Sequence, residues 1–265
     1  MTPTSLVLVG HGFPRRPHAR HPAHDHAERL QEAEPLDEVT PALMKGEPSL
    51  ETALRSIPGG RAVVVPLFVS DGYFVGEALP ERVEDNRPEG LTVEYAQPIG
   101  THEEVTDVIT GLALSAIDGP PEGVELALLG HGSEHGSANR EAVGSHARRT
   151  AERDTFAAVR SYFIEEEPGV ELLPTEAEAE ETVAVPVFVA EGGHVREDIP
   201  EQLGIEGRDG TVEGTHVTCT DPVGTDPMVA GIAFGRAMGA LRTAGWEREL
   251  DSAAKPAKQI RRNTP

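Results

Sequence analysis

The stretch Val63–Glu81, VVVPLFVSDGYFVGEALPE, returns as Val183–Glu201, VAVPVFVAEGGHVREDIPE, with ten of the nineteen aligned positions identical at an offset of 120. Each copy opens on a continuous run of β-branched residues, the mark of a strand buried on both faces of a parallel sheet. Each closes on a proline suited to the first turn of a helix. Working outward, the same offset relates Leu6-Val7-Leu8-Val9-Gly10-His11-Gly12 to Leu126-Ala127-Leu128-Leu129-Gly130-His131-Gly132. It also relates Val39, ahead of Glu47-Pro48, to Val159, ahead of Glu167-Pro168. Farther on, Leu91, Val93 and Tyr95 leading to Pro98-Ile99-Gly100-Thr101 answer Thr215, Val217 and Cys219 leading to Pro222-Val223-Gly224-Thr225, now at 124. Four extra residues therefore fall between Leu203 and Thr215. The chain is a tandem duplication.

One unit reads as alternating strands and helices. Strands are expected at Leu6 to Val9, Val39 to Met44 and Val63 to Val69, with a more exposed one where Leu91, Val93 and Tyr95 alternate with polar residues. Ser49 is placed to cap a helix, and Val105, Val108, Ile109 and Leu112 repeat at helical spacing. The fold class is α/β: two tandem duplicated domains, each a mainly parallel four-stranded sheet flanked by helices. The linker Pro120-Pro121-Glu122-Gly123 divides the chain into an N-terminal half, 1–120, and a C-terminal half, 121–250. Residues 251–265 have no apolar period and are expected to be a disordered tail.

Composition narrows the function classes. The chain has 265 residues, 45 acidic against 23 basic, a formal charge of -22 and 4% aromatic residues. Only Lys45, Lys255 and Lys258 are lysines. Such a surface repels nucleic acid and anionic membrane and suits a protein solvated in concentrated salt, where self-repulsion is screened over a few ångströms. A lone cysteine, Cys219, cannot form an internal disulfide and reads as a small core residue in a reducing compartment. No run approaches the ~20 apolar residues of a membrane span. A cytoplasmic location is expected.

In open parallel sheets ligands bind beyond the carboxyl ends of the strands. His11 and His131 follow the first strand of their halves, and His194, between Gly193 and Val195, lies in the loop after Val183 to Val189. Phe74 stands in the N-terminal half where His194 stands in the C-terminal one, so only the C-terminal half keeps two imidazoles. Paired neutral imidazoles without thiolates suit a transiently held divalent ion such as cobalt, nickel or iron. Glu167, at a neighbouring strand end, is a candidate carboxylate ligand or proton acceptor, or simply a solvated member of Glu165-Glu166-Glu167. Glu191 and Glu197 carry the same two readings.

Gly-His-Gly after the first strand, then VPVFVAEGGHVREDIPEQL, then DPVGTDP, taken in that order, resemble the sirohydrochlorin chelatases. These enzymes insert cobalt, iron or nickel into a tetrapyrrole without ATP, in cobalamin or siroheme synthesis. The C-terminal half resembles the short archaeal form over nearly its whole length, and such forms assemble as homodimers. The chain thus resembles a fused pseudo-dimer. The resemblance implies that His131 and His194 bind the metal and take part in its insertion, with His11 a further possible ligand. It implies a macrocycle held between the halves and cobalt, iron or nickel as substrate, with no permanently bound cofactor.

Sirohydrochlorin is itself a polycarboxylate, so arginine forks at Arg196, Arg140 and Arg148 are candidate substrate contacts, with Arg149 beside them. Arg196 replaces Gly76 of the other half. His18, His21, His24 and His26 crowd the segment PHARHPAHDHAE, which reads either as a metal-gathering loop or as a polar surface loop. Cobalt insertion for cobalamin synthesis is the leading expectation. Iron or nickel insertion, and a non-catalytic tetrapyrrole or metal carrier, are the alternatives. A histidine phosphoesterase would want arginine where Gly10 and Gly130 stand.

Overall fold

Parallel strands must be joined by long crossovers, and the helical stretches between the buried runs supply them. The computed structural model describes residues 3–13, 19–33, 38–57, 60–133 and 136–246. The first repeat runs β1 (Thr4–Gly12), α1 (Pro22–Ala33), β2 (Glu38–Lys45), α2 (Leu50–Ser56), β3 (Gly60–Pro66), α3 (Leu79–Asn86), β4 (Leu91–Tyr95) and α4 (Val105–Ser115). The second runs β5 (Val124–Gly130), α5 (Ala138–Ala151), β6 (Ala158–Phe163), α6 (Leu173–Glu176), β7 (Glu181–Pro186), α7 (Ile199–Leu203), β8 (Asp209–Val212), β9 (Thr215–Cys219) and α8 (Met228–Ala244). Ser49 caps α2 as its sequence position suggests, its hydroxyl accepting from the Thr52 amide. The tail 251–265 lies outside the described residues.

The first sheet has the order β2-β1-β3-β4 and is wholly parallel. β1 is buried nearly throughout, as a central strand of aliphatic residues should be. Pro41 sits in the edge strand β2, where its missing amide breaks no inner ladder. The second sheet has the order β6-β5-β7-β9-β8, five strands rather than the four expected. The extra strand comes from the four inserted residues: β8 pairs antiparallel with β9 across Glu213 and Gly214. Both residues have positive φ, 52° and 92°, as a two-residue type I′ hairpin requires.

The halves do not pack independently. The apolar face of α4, with Val105, Val108 and Ile109, belongs to the same buried cluster as Val183 and Val185, and α4 lies against β7 and α5 of the second repeat. Reciprocally, α8 lies against β3, β4 and α1 of the first. The C-terminal helix of each repeat thus covers the other repeat's sheet, and the two sheets share one core. Outer clusters around Val7, Leu54 and Leu79, and around Leu129, Leu173 and Leu203, close the opposite faces.

Two buried histidines tie this exchange. His26 Nε2 donates to the Gly224 carbonyl at 2.8 Å, and His146 Nε2 donates to the Gly100 carbonyl at 2.7 Å. His26 and His146 are related by the repeat offset of 120, so these are two copies of one device. Gly100 and Gly224 must be glycine there, since a Cβ at either would collide with the backbone of Val69 or Val189. The crowded histidine segment is accordingly not a surface loop. His18 lies outside the described residues, but His21 and His26 are each only 1% exposed and His24 and His26 belong to α1. His21 Nδ1 accepts from the Ala23 amide at 3.1 Å, so its ring caps the helix that Pro22 begins. Of the described histidines in the segment, His21 is spent on helix capping and His26 on the contact between repeats.

Candidate functional site

The ends of β1 and β5 meet at one cavity of about 510 Å³ between the repeats. From the first repeat His11, Phe68, Tyr73 and Phe74 line it; from the second, His131, Glu165, Phe188 and His194. Its lining surface is mostly apolar, with three imidazoles and one carboxylate among the lining groups. The loop geometry that exposes His131 depends on Gly132, whose φ of 77° few side chains adopt.

His194 opens a π-helical turn, His194–Asp198, that runs directly into α7, and Phe74 opens the equivalent turn Phe74–Ala78 ahead of α3. Such wide turns are rare and cluster at functional sites. Here the turn aims His194 at His131: the rings lie edge to face with centroids 4.6 Å apart, and their Nε2 atoms are 3.3 Å apart.

The other ring nitrogens fix what those Nε2 atoms carry. His131 Nδ1 donates to the Gly132 carbonyl at 3.0 Å, and His194 Nδ1 donates to Asp198 Oδ2 at 2.6 Å. A carbonyl and a carboxylate can only accept, so each Nδ1 holds a proton and, in the neutral ring, each Nε2 presents a lone pair. Two lone pairs at that separation repel unless a positive centre sits between them. A divalent ion about 2.1 Å from each would see them at an angle of about 105°, which suits a tetrahedral or octahedral shell. Glu165 adds a carboxylate 3.5 Å from His131 Nδ1 and is held there by its own amide, which donates to the His131 carbonyl at 2.9 Å. Among the described residues no group of three or more His, Cys, Asp or Glu side chains is arranged as a metal site.

Of the residues singled out in the sequence, His11, His131 and His194 reach this cavity, whereas Glu167 does not. Glu167 turns back into its own loop, Oε2 accepting from the Gly169 amide at 3.3 Å; the acid beside the histidines is Glu165, two residues earlier. Glu197 is exposed. Glu191 accepts from Arg196 at 2.7 Å and Arg208 at 2.6 Å, and the Arg196 guanidinium holds its carboxyl below the usual range. Arg140 stacks on Phe163 and binds Glu166 Oε2 at 2.8 Å and the Glu167 carbonyl at 2.6 Å. Arg148 sits in the last turn of α5. None of Arg196, Arg140 and Arg148 lines the cavity. Cys219 is buried as expected, and burial pushes its thiol up to about 12.

In the first repeat the same frame holds different chemistry. His11 packs edge to face on Phe74, centroids 5.0 Å apart, in the arrangement the two histidines have in the second. Burial holds the His11 pKa below its ordinary value; its bond to the Gly12 carbonyl opposes this and the Lys45 charge adds to it. The sequence reading above does not single out Asp198 or Glu165 as site residues. They were accessible to it, because at the offset of 120 they face Ala78 and Lys45, the same kind of asymmetry that singled out Phe74.

A family model described as CbiX matches residues 5–114 and again 125–239. A protein of Halobacterium salinarum described as a probable sirohydrochlorin cobaltochelatase is 33% identical over 263 residues, covering 88% of this chain and 90% of its own. A sirohydrochlorin cobaltochelatase of Methanococcoides burtonii is 33% identical over 132 residues, 44% of this chain but 96% of its own, which is the size relation of one repeat to two. Among solved structures, SirB from Bacillus subtilis with Fe3+ superposes with a TM-score of 0.74 at 19% identity, covering 92% of this chain and 98% of that one. CbiX, described as the terminal enzyme of siroheme biosynthesis in denitrifying bacteria, gives 0.70 at 22% identity over 89% and 99%. At those identities the structures speak for the fold. No described helix is long and apolar enough to cross a membrane. With both repeats matched and a full-length relative at one-third identity, the chain belongs to the CbiX family of chelatases.

Proposed function

We propose that this protein inserts Co2+ into sirohydrochlorin for cobalamin synthesis in the cytoplasm, with the metal as substrate and no resident cofactor. The observation that carries the proposal is the pair of Nε2 lone pairs 3.3 Å apart, each fixed by a protonated Nδ1. The names of the relatives, cobaltochelatases, support cobalt over iron or nickel.

In this reading the ion is held by His131 and His194 and the macrocycle lies flat between the aromatic walls of the two repeats. Insertion replaces two pyrrole protons by one divalent ion, so two protons must leave. As each imidazole gives up the ion, its Nε2 is free to accept one of them. Asp198 stabilises the imidazolium that forms on His194, and Glu165 does the same for His131. His11 faces the cavity from the other side with Lys45 nearby, which disfavours a second cation there. Arg196 and Arg140, each held by an acid, are left to the rim.

The test is direct: purified protein is mixed with sirohydrochlorin and Co2+ in molar salt and the absorbance change is followed. Metallation well above the spontaneous rate is expected. A rate equal to the spontaneous one contradicts the proposal and leaves a carrier.

A further inference from the structure

In a chain carrying a charge of -22, two of the described arginines close to the cavity are neutralised: Arg140 by Glu166 and Arg196 by Glu191. Lys45 is different. It ends β2, its backbone in register with Gly12 beside His11, and it is exposed. Its Nζ lies 6.0 Å from the centre of the Phe74 ring, a wall of the cavity, and its charge is felt at His11, another wall. No carboxylate of the described residues lies within ion-pair distance of it. Lys255 and Lys258 fall in the tail, so Lys45 is the one lysine among the described residues. At the repeat offset its counterpart is Glu165, the acid beside the histidine pair.

An ammonium with no described carboxylate in ion-pair reach, at the mouth of an aromatic slot, is a receptor for an anionic edge of a flat ligand. We propose that Lys45 binds a peripheral carboxylate of the tetrapyrrole and so anchors the rim of the macrocycle against the first repeat. This rests on the chelatase reading above and names a residue by which the first repeat, which lacks the histidine pair, holds the substrate. Lys45 on one side and Glu165 on the other make the two walls of the pseudo-symmetric cleft unequal toward an anionic rim: the first repeat attracts it and the second does not. Contact pairing of this kind persists in concentrated salt, where long-range steering does not.

The experiment titrates metal-free sirohydrochlorin into the full-length protein by absorbance, and separately titrates Co2+ without tetrapyrrole. Lys45→Glu is expected to weaken tetrapyrrole binding about tenfold or more, the scale of a lost charge-assisted bond, while Co2+ binding is unchanged. Lys45→Arg is expected to retain near-normal tetrapyrrole binding. In turnover assays the loss should appear in KM for tetrapyrrole with little change in kcat. A matched thermal unfolding curve checks that Lys45→Glu is folded. Unaltered tetrapyrrole binding by Lys45→Glu overturns the anchor and leaves the chelatase reading standing. Failure of the wild-type protein to bind sirohydrochlorin at all overturns both.

Discussion

The two repeats hold the same strand ends, the same Gly-His-Gly turn and the same rare π turn, yet differ at three chemically decisive positions. The second repeat has His194, Asp198 and Glu165 around His131; the first has Phe74, Ala78 and Lys45 around His11. Every change runs in one direction, from a group that attracts or orients a cation to one that does not. The ring geometry is nearly preserved, with a phenyl edge standing where an imidazole edge stands. Packing and chemistry are thus separable on this scaffold: Phe74 keeps the slot's wall without the imidazole nitrogens.

The largest way to break the comparison is to remove the imidazoles. His194→Ala and His131→Ala should each lower metallation by about 100-fold or more, while His11→Ala lowers it only a few-fold. Steady-state rates in molar salt measure all three, and a larger loss in His11→Ala would put the centre in the wrong repeat. A smaller effect comes from the group behind the ligand. Asp198→Ala frees the His194 ring to rotate and change tautomer, and should cost about tenfold in Co2+ affinity, the usual scale for an orienting partner. Isothermal titration with Co2+ checks it.

The comparison can also be sharpened by erasing it. Phe74→His, Ala78→Asp and Lys45→Glu together rebuild in the first repeat the constellation of the second. Titration should then show two bound Co2+ per chain in place of one. A stoichiometry still at one would mean that backbone position, not side-chain identity, separates the repeats.

The smallest expected effect concerns stability. His21 in the first repeat is buried and its pKa is pushed down to about 3, chiefly by burial, whereas its counterpart Glu141 is exposed. A histidine whose folded pKa is depressed contributes stability that is complete above the unfolded value near 6.5 and lost as pH falls toward about 3. His26 and His146 are lowered for the same reason. Urea midpoints should therefore fall steadily from neutral pH to pH 4, and His21→Gln should flatten that slope. An unchanged slope would show that carboxylates such as Glu51, whose pKa is also held low, dominate acid unfolding.

Much of this was legible in the chain because the repeat supplied its own comparison. The strands follow from the buried apolar runs, and the loss of an imidazole at Phe74 is visible without coordinates. What escaped depended on contacts between distant residues. The exchange of α4 and α8 is invisible to periodicity, since an amphipathic helix shows that it buries a face but not against which sheet. His26 and His146 looked like parts of a metal-gathering run or went unnoticed, although their spacing of 120 marks them as one structural device. Choosing Glu167 rather than Glu165 reflects the turn at the end of β6, where two residues decide whether a side chain meets His131 or its own loop. The antiparallel β8 was hidden in a short polar insertion whose only signal was Glu213-Gly214, a weak turn dipeptide.

The central claim is that one repeat carries the metal and the other forms a wall. Anomalous diffraction at the cobalt edge, from crystals of the full-length protein soaked in Co2+, tests it most directly. A single peak within bonding reach of Nε2 of both His131 and His194 is the expected result. A peak on His11, or peaks of equal height in both repeats, would contradict it.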